Sequence, residues 1–420
     1  MKVTLLPGGV NGTVKAIPSK SHLHRLLIFA ALADKPTALH FEHSNAEDIK
    51  ATADCLSALG AKIETLSEGF MVTPINQERL PNKAVLPCME SGSTLRFMLP
   101  VVCALGVSAE FVMAGRLPER PLAPLDAELT RGGIRLWRKE NHILCCEGKL
   151  AAGDYTLPGN VSSQYISGML MALPLLNENS TLTIEGTIES ADYIAMTTQA
   201  AAVFGFEEGY DIRGGVGFKS PGKVSAEGDW SNAAFWLCAG AMPDGNIEIS
   251  GLDKESTQGD KEIFNILKSM GGCLESANQL LRVQGITKTH GTEIDARAIP
   301  DLVPVLCAVA AVSIGETVIK NAERLRLKES DRLAATAQTL NALGAKITEE
   351  KDGLRIQGVE RLLGGTVDSW GDHRIAMMAA IASLACEREV IITGAQAVRK
   401  SYPGFWETFA ALGKKIIIEE

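Results

Sequence analysis

Apolar side chains recur along the chain in two helical patterns. The first is amphipathic and ends at a glycine, as in DIKATADCLSALG (48–60) and DRLAATAQTLNALG (331–344). Apolar positions three and four residues apart predict a helix with one buried face, and the final glycine predicts a left-handed C-cap. The alternating residues after each glycine predict a strand that often turns into a hairpin.

The glycine-ended pattern is an internal repeat. LGAKIETLSEGFMVTP (59–74) returns as LGAKITEEKDGLRIQG (343–358). With weaker copies included, the first glycine of the pattern falls at Gly60, Gly132, Gly205, Gly271, Gly344 and Gly413. Because the intervals are 72, 73, 66, 73 and 69 residues, we predict six repeated units along the chain.

A second type of helix recurs with the same period and is apolar on nearly every face. The six segments are 24–33, 93–106, 162–176, 230–242, 302–315 and 373–386. Helices of this kind are buried. The predicted fold class is therefore α/β, with two domains of three αβ units each. In each domain the sheets surround buried central helices, an inside-out α/β barrel.

The phase of the repeat predicts where the domains meet. The first domain is expected over 14–225, and the second over 1–13 together with 226–420. The first strand is assigned to the second domain because the repeat leaves a strand unaccounted for there. We expect the active-site cleft to lie between the two domains.

Composition and charge restrict the class of protein. The chain has 420 residues, of which 46% are hydrophobic and 22% charged, as in ordinary folded proteins. Its net charge of −9 and lack of long like-charged runs argue against nucleic-acid and anionic-membrane partners. The apolar run at 302–315 is shorter than the roughly 20 residues that span a bilayer.

Two further features bear on location and metal binding. Pro7 and Gly8 interrupt the apolar N-terminal stretch too early for a secretion signal, so a cytoplasmic location is expected. None of the nine cysteines has the spacing of a metal site. We therefore predict reduced core thiols and no metal.

Polar and basic side chains gather at the starts of the apolar helices. The sequences there are SKSHLHR, ESGSTLR, VSSQ, EGDWSN, IPD and GDHR. A helix start leaves N–H groups unpaired and carries a partial positive charge, so it can bind anions. Arg25 and Arg96 would be costly to bury without an anion, which favours ligand binding. For Ser93, Ser162 and Asp301, helix capping and ligand binding both stay open.

Two loops add charged groups to this set. GRLPERPL (115–122) holds Arg116 and Arg120 between prolines, and LRLKESDRL (325–333) brings Lys328, Glu329 and Arg332 together. The second loop therefore places an acid beside two bases.

These motifs together resemble the family of 5-enolpyruvylshikimate-3-phosphate synthases, or 3-phosphoshikimate 1-carboxyvinyltransferases. The matching segments occur in the order PSKSxxxR (18–25), SGSTLR (91–96), GRLPERP (115–121), VSSQ (161–164), IPD (299–301), LKESDR (327–332), GDHR (371–374) and RKSYPGF (399–405). The resemblance runs through the whole chain and includes the plan of six units.

The resemblance implies an enzyme of the shikimate pathway to chorismate and the aromatic amino acids. Its reaction transfers the enolpyruvyl group of phosphoenolpyruvate to the 5-hydroxyl of shikimate 3-phosphate and releases phosphate. These two small molecules are the implied partners, and neither a metal nor an organic cofactor is needed. Since family members are often monomers, a monomer is expected.

The resemblance also assigns the residues that bind each substrate. For shikimate 3-phosphate they are Lys20, Ser21, Arg25, Ser162, Ser163, Gln164, Ser190, Asp301 and Lys328. For phosphoenolpyruvate they are Lys20, Gly92, Arg116, Gln164, Arg332, Arg374 and Lys400. Arginine side chains suit the planar carboxylates and the phosphates of these substrates, and a glycine lets substrate approach the backbone closely.

The catalytic residues implied are Asp301 as proton acceptor, Glu329 as proton donor, and Lys20. The hydroxyl that attacks must lose a proton, and the methylene carbon of phosphoenolpyruvate must gain one. Positive neighbours would lower the pKa of Glu329, so its use as an acid requires burial or substrate charge to raise it again.

Several positions depart from the commoner family pattern. They are His24 and Glu90 in place of asparagine, Phe97 and Asp192 in place of proline, and Arg324 in place of an asparagine that often touches shikimate 3-phosphate. That last contact is not carried over to Arg324.

Two alternative functions are a UDP-N-acetylglucosamine enolpyruvyl transferase and a non-catalytic RNA-binding repeat protein. A UDP-N-acetylglucosamine enolpyruvyl transferase would have asparagine where Ser21 follows Lys20, and usually a cysteine in the loop near 115–121. A non-catalytic RNA-binding repeat protein would be basic overall. The sequence favours neither.

Overall fold

The computed structural model describes residues 1–42, 45–207, 209–277, 280–286 and 288–420. The chain forms two compact units, one of residues 20–226 and the other of residues 1–19 with 227–420. We call them the middle unit and the terminal unit. Each has its own continuous core of buried apolar side chains.

The described residues form twelve α-helices, several of them continued by short 3-10 turns. They are α1 (Lys20–Leu32), α2 (Glu47–Ala58), α3 (Gly92–Leu105), α4 (Leu125–Arg131), α5 (Ser163–Ala172), α6 (Ala191–Val203), α7 (Trp230–Ala241), α8 (Ile263–Ser269), α9 (Val303–Ala310), α10 (Arg332–Ala342), α11 (His373–Ala382) and α12 (Phe405–Ala411). The odd-numbered helices from α1 to α11 correspond to the six apolar segments, which confirms that prediction.

The strands of the first half are two to seven residues long. They are β1 (Lys2–Leu5), β2 (Asn11–Lys15), β3 (Thr37–His40), β4 (Lys62–Leu66), β5 (Gly69–Thr73), β6 (Lys83–Met89), β7 (Ser108–Met113), β8 (Arg135–Glu140), β9 (Ile143–Glu147), β10 (Asp154–Pro158), β11 (Ser180–Glu185), β12 (Asp211–Ile212) and β13 (Lys223–Ser225).

The second half continues in the same way. Its strands are β14 (Asn246–Ser250), β15 (Cys273–Ala277), β16 (Leu280–Gln284), β17 (Glu293–Asp295), β18 (Glu316–Lys320), β19 (Lys346–Glu350), β20 (Gly353–Gln357), β21 (Gly365–Asp368), β22 (Val390–Thr393) and β23 (Ile416–Glu419).

The middle unit has three sheets, of strand orders β13-β3-β5-β4, β6-β7-β9-β8 and β10-β11-β12. In each sheet one parallel pair is extended by antiparallel strands. Helix α1 packs on β3 and β5, and α3 packs on β6 and β7. Because α3 and α5 also pack against each other, these helices are buried on nearly all sides.

The terminal unit repeats the same sheet pattern. Its sheets have strand orders β15-β16-β14-β2, β17-β18-β20-β19 and β21-β22-β1-β23. Strand β1 lies between β22 and β23, where Lys2 is opposite both Thr393 and Glu419. The N-terminus therefore supplies the strand that the last repeat lacks, as the repeat phase predicted.

The division into units differs slightly from the boundaries expected from the sequence. Strand β2 runs on to Lys15 and pairs in parallel with β14 of the terminal unit. Residues up to Ser19 therefore stay with the terminal unit, whereas the repeat placed the change at residue 14. At the other end, the change falls after Ala226 instead of after Ser225.

The repeat glycines end the amphipathic helices with positive φ, with one exception. Gly60, Gly205, Gly271, Gly344 and Gly413 have φ of 103°, 76°, 82°, 99° and 92°. At the second copy Gly132 has φ of −75°, and the positive φ of 96° falls on Gly133. A consecutive glycine pair lets the turn form one residue later.

Aromatic side chains join α7 to α12 in the core of the terminal unit. Trp236 is 1% exposed and stacks on Phe405 with ring centroids 4.9 Å apart. Tyr402 meets the Trp236 ring edge-on at 5.9 Å, and Phe409 lies 5.8 Å away. Such pairs add specific geometry to the burial of large apolar area.

We expect the variant Trp236→Ala to lower the free energy of unfolding by about 3–5 kcal/mol, because it leaves a cavity under α12. The urea midpoint followed by circular dichroism measures this. The matched control is Trp137→Ala, where the side chain is 38% exposed on strand β8. A Trp236→Ala midpoint equal to that of the control would contradict the packing role.

Candidate active site

The start of α1 in the middle unit carries the first predicted group, Lys20, Ser21 and Arg25. Lys20 is the first residue of the helix, and its Nζ lies 2.6 Å from Oδ2 of Asp48, at the start of α2. Both side chains keep some exposure, at 17% and 14%. The ammonium group is thus positioned by a carboxylate that the sequence analysis did not select.

Arg25 is buried and donates hydrogen bonds only to neutral oxygens among the described residues. Its guanidinium contacts Oγ1 of Thr197 and the carbonyl oxygens of Ser21 and Tyr193, each at 2.7 Å. It also lies 5.0 Å from the centre of the Phe97 ring. Burial lowers the pKa of Arg25 to about 10, so it stays charged at neutral pH. A buried cation without a carboxylate is suited to an incoming anion.

The starts of α3 and α5 meet through Gln164. Its Oε1 accepts from Arg96 at 3.1 Å, and its Nε2 donates to Oγ of Ser93 at 2.9 Å. Ser162 caps α5, since its Oγ accepts from the backbone N–H of Gln164 at 3.3 Å. The cap of α3 is Ser91, and Ser93 instead belongs to the Gln164 contact. Ser163, the first residue of α5, is buried.

Gly92 lies where two arginines approach the backbone. A Cβ at this position would be 2.6 Å from Nη1 of Arg96 and 2.7 Å from Nη1 of Arg120. Any other residue would therefore displace a guanidinium. Arg116, by contrast, is 44% exposed at its side chain and lies 3.6 Å from Glu119, so the described contacts do not join it to this group.

Ser190 precedes α6 in a left-handed conformation, with φ of 55° and ψ of 44°. It is buried. A left-handed non-glycine residue is uncommon, which identifies this turn as a constrained position. Asp192 then occupies the first turn of the helix.

Arg332 organises the predicted residues of the terminal unit. It is 1% exposed, and its three nitrogens donate to three carboxylates. Nη1 lies 2.7 Å from Asp301, Nη2 lies 2.6 Å from Glu329, and Nε lies 2.8 Å from Asp372. Although burial works against the charge, Asp372, Glu329 and Asp301 raise the pKa of Arg332 above its ordinary value. The predicted proton acceptor and donor thus share one guanidinium.

Asp301 is surrounded by cations. Besides Arg332, Lys328 lies 3.7 Å from its Oδ1 and Arg374 lies 3.3 Å from its Oδ2. Burial alone would raise the pKa of Asp301, but Arg374, Lys328 and Arg332 hold it well below the usual value. The side chain of Asp301 does not cap a helix. It forms ion pairs with Lys328, Arg332 and Arg374 instead.

Lys328 and Lys400 complete the predicted set in this unit. Burial lowers the pKa of Lys328 to about 8, although Asp301 opposes the shift. Nζ of Lys400 donates to the carbonyl of Gly371 at 2.6 Å, in the loop that leads to α11. Arg374, on the first turn of α11, donates to the carbonyl of Asp301 at 2.9 Å and to Oγ of Ser231 at 2.7 Å.

Two carboxylates of the site were missed from the sequence. Asp48 resembles the acidic residues common in a first helical turn, and Asp372 resembles an ordinary N-cap. Asp372 is indeed the cap of α11, since it accepts from the backbone N–H of Arg374 at 2.9 Å. Its second contact, to Arg332, depends on α10 packing beside α11, which no local pattern reveals.

Within 1–42, 45–207, 209–277, 280–286 and 288–420, no cluster of three or more His, Cys, Asp or Glu side chains could hold a metal ion. No helix in that part of the chain has both the length and the apolar character needed to cross a bilayer.

Comparisons with known proteins place this arrangement in a family. The sequence profile described as EPSP synthase (3-phosphoshikimate 1-carboxyvinyltransferase) matches residues 6–409. A 3-phosphoshikimate 1-carboxyvinyltransferase of Clostridium acetobutylicum is 42% identical over 421 residues, covering 98% of this chain and 97% of the relative. One from Clostridium perfringens is 43% identical over 422 residues, covering 98% of both chains.

Solved structures agree at the level of the fold. An EPSP synthase from Acinetobacter baumannii superposes with a TM-score of 0.81 at 24% identity, over 100% of both chains. The enolpyruvyl transferase NikO from Streptomyces tendae gives a TM-score of 0.79 at 18% identity, over 99% of this chain and 98% of its own. Taken with the family profile and the clostridial relatives, these matches show that the chain belongs to the EPSP synthase (3-phosphoshikimate 1-carboxyvinyltransferase) family.

Proposed function

We propose that this chain transfers the enolpyruvyl group of phosphoenolpyruvate to the 5-hydroxyl of shikimate 3-phosphate and releases phosphate. The observation that carries the proposal is the pair of carboxylates, Asp301 and Glu329, held on one buried guanidinium beside Lys328 and Arg374. Such a group offers an acceptor and a donor of protons among cations that can bind anionic substrates. A cytoplasmic location and a monomeric state stay predictions.

Each substrate brings one phosphate and one carboxylate, so several cations must be present. For shikimate 3-phosphate we assign Lys20, Ser21, Arg25, Ser162, Ser163, Gln164, Ser190, Asp301 and Lys328. For phosphoenolpyruvate we assign Lys20, Gly92, Arg116, Gln164, Arg332, Arg374 and Lys400. The burial of Arg25 among neutral oxygens supports its part. Arg332 donates to three carboxylates through four of its five N–H groups in the described contacts, so substrate can be contacted through the second N–H of Nη1.

In the addition step, the 5-hydroxyl oxygen forms a bond to C2 of phosphoenolpyruvate. Asp301 takes the hydroxyl proton, since its low pKa keeps it ionised at neutral pH. Glu329, which must be protonated once the anionic substrates are bound, gives a proton to C3, which becomes a methyl group. The product of this step is a tetrahedral ketal that still carries the phosphate.

In the elimination step, the bond from C2 to the phosphate oxygen breaks and C3 loses a proton. We assign the removal of that proton to Glu329, now a carboxylate. The leaving phosphate takes up the proton that Asp301 removed from the hydroxyl, and we assign the stabilisation of its charge to Lys20 and the arginines assigned to phosphoenolpyruvate. The double bond re-forms between C2 and C3, and the products are the enolpyruvyl ether and phosphate.

Phosphate release tests the proposed function. Mixed with phosphoenolpyruvate and shikimate 3-phosphate, the purified protein should release one phosphate for each enolpyruvyl ether formed, as followed by a coupled phosphate assay. Turnover only when UDP-N-acetylglucosamine replaces shikimate 3-phosphate would refute the proposal in favour of the other transferase.

The variant Glu329→Gln should lower kcat at least about 100-fold, because the amide keeps the size of the side chain but cannot relay the proton. The same phosphate assay measures it at saturating substrate. Glu323→Gln, an exposed acid on the same segment, serves as the control and should stay within about twofold of the wild type. Equal activity of the two variants would remove Glu329 from the chemistry.

The affinity for shikimate 3-phosphate should fall as pH rises through about 8, because Lys328 with its pKa of about 8 then loses its charge. The KM for shikimate 3-phosphate between pH 7 and 9.5 measures this. In Lys328→Arg the guanidinium stays charged over this range, so the rise in KM should flatten. An identical pH dependence in both proteins would show that Lys328 does not bind the substrate through its charge.

A further inference from the structure

A buried chain of hydrogen bonds joins the starts of three helices in the middle unit. Nδ1 of His24 on α1 lies 2.7 Å from Oγ1 of Thr52 on α2, which lies 2.7 Å from Oγ1 of Thr94 on α3. Thr94 in turn donates to Oγ of Ser91 at 2.7 Å. All four side chains are at most 1% exposed. This hydrogen-bond chain therefore ends at Ser91, the residue immediately before Gly92.

The direction of the protons along this chain follows from the one hydrogen that each hydroxyl has. The Thr94 hydroxyl lies closer to Oγ of Ser91, at 2.7 Å, than to the carbonyl oxygen of Asp48, at 3.4 Å. When it gives its hydrogen to Ser91, Thr52 is the donor to Thr94. Thr52 then has only lone pairs to offer His24, so Nδ1 of His24 must carry a hydrogen. The arrangement requires a neutral imidazole protonated at Nδ1 or a charged one.

The surroundings of His24 select the neutral form. Burial, together with the nearby charges of Lys20 and Arg25, holds the pKa of His24 well below its ordinary value. The ring also meets Phe97 edge-on, with centroids 6.3 Å apart. A neutral Nδ1–H tautomer is thus fixed between the helix that carries Lys20 and the hydroxyl of Thr52.

The same chain touches the backbone that positions Lys20. Both threonine hydroxyls lie 3.4 Å from the carbonyl oxygen of Asp48, whose carboxylate holds Lys20 at 2.6 Å. At the other end, Oγ of Ser91 also accepts from the backbone N–H of Thr94 at 3.2 Å. Removing the hydroxyl of Thr52 or Thr94 should therefore alter the positions of both Lys20 and the Ser91–Gly92 turn.

We propose that His24, Thr52 and Thr94 are positioning residues that fix the Ser91–Gly92 turn relative to Lys20 and so set the affinity for phosphoenolpyruvate. The inference rests on the proposed function, because it uses the assignment of Gly92 and Lys20 to that substrate. None of the three side chains acts on the reacting atoms.

Four variants test the proposal. Thr52→Val keeps the shape of the side chain but removes the hydroxyl, and His24→Leu removes the donor to it. Each should raise the KM for phosphoenolpyruvate about three- to tenfold, with the KM for shikimate 3-phosphate within about twofold. His24→Asn places an amide nitrogen at the position of Nδ1 and should restore a KM near that of the wild type.

Thr37→Val is the matched control. It breaks another buried hydroxyl pair of the same unit, Thr37 with Ser220 at 2.7 Å, outside the chain of His24. We expect Thr52→Val and Thr37→Val to lower the melting temperature by similar amounts, and only Thr52→Val to raise the KM for phosphoenolpyruvate. Nitrogen-15 NMR of the histidines should also show an Nδ1–H tautomer that is missing from the His24→Asn spectrum.

The outcomes separate the two proposals. A wild-type protein that releases no phosphate would overturn the proposed function. An active wild type in which Thr52→Val and Thr37→Val have the same KM for phosphoenolpyruvate would overturn the positioning role alone, as would an Nε2–H tautomer of His24.

Discussion

A charged side chain in a helix that is packed on nearly all sides can find polar partners only near the end of that helix. The central helices α1, α3 and α11 follow this constraint: Arg25, Arg96 and Arg374 all lie within the first two turns and are buried there. The same turns carry N–H groups that have no partner within the helix, two of which are capped by Ser91 and Asp372, and the positive ends of the helix dipoles. Burial of these three helices therefore places their arginines at the helix starts, where the proposed substrate contacts lie.

Arg332 shows how such a charge is stabilised inside the terminal unit. Removing an ion of this size from water is costly unless partners share the charge, and here Asp301, Glu329 and Asp372 share it. Asp372 also caps α11. The orientation of the proposed proton acceptor and donor is thus tied to a helix start, which keeps both carboxylates fixed before any substrate arrives.

The sequence predicted the fold well because the fold repeats. Six nearly identical periods of apolar residues locate the central helices to within a few residues, and the unmatched N-terminal strand fills the gap left by the last period. Details that depend on a single turn could not be predicted from the repeat. The positive φ lies on Gly133 and not on Gly132, and α3 is capped by Ser91 and not by Ser93.

The candidate site could be predicted as a set of residues but not as a set of contacts. Motifs select Asp301, Glu329 and Arg332, yet only packing reveals that one guanidinium holds both carboxylates. The partners Asp48, Asp372 and Thr52 were not selected, because each resembles an ordinary residue of an amphipathic helix or a cap. His24 stood out in the sequence as a departure from the family pattern, and its hydrogen bond to Thr52 explains how a neutral imidazole is accommodated.

The proposed function assigns shikimate 3-phosphate to cations of both units, among them Arg25 of the middle unit and Lys328 of the terminal unit. Calorimetric titration of shikimate 3-phosphate into the wild type and into the variants Arg25→Gln and Lys328→Gln, one from each unit, tests it most directly. The account predicts one molecule bound per chain and an affinity at least about tenfold weaker in each variant, since each loses a charge-assisted contact. Wild-type affinity in either variant, or a stoichiometry other than one, would contradict it.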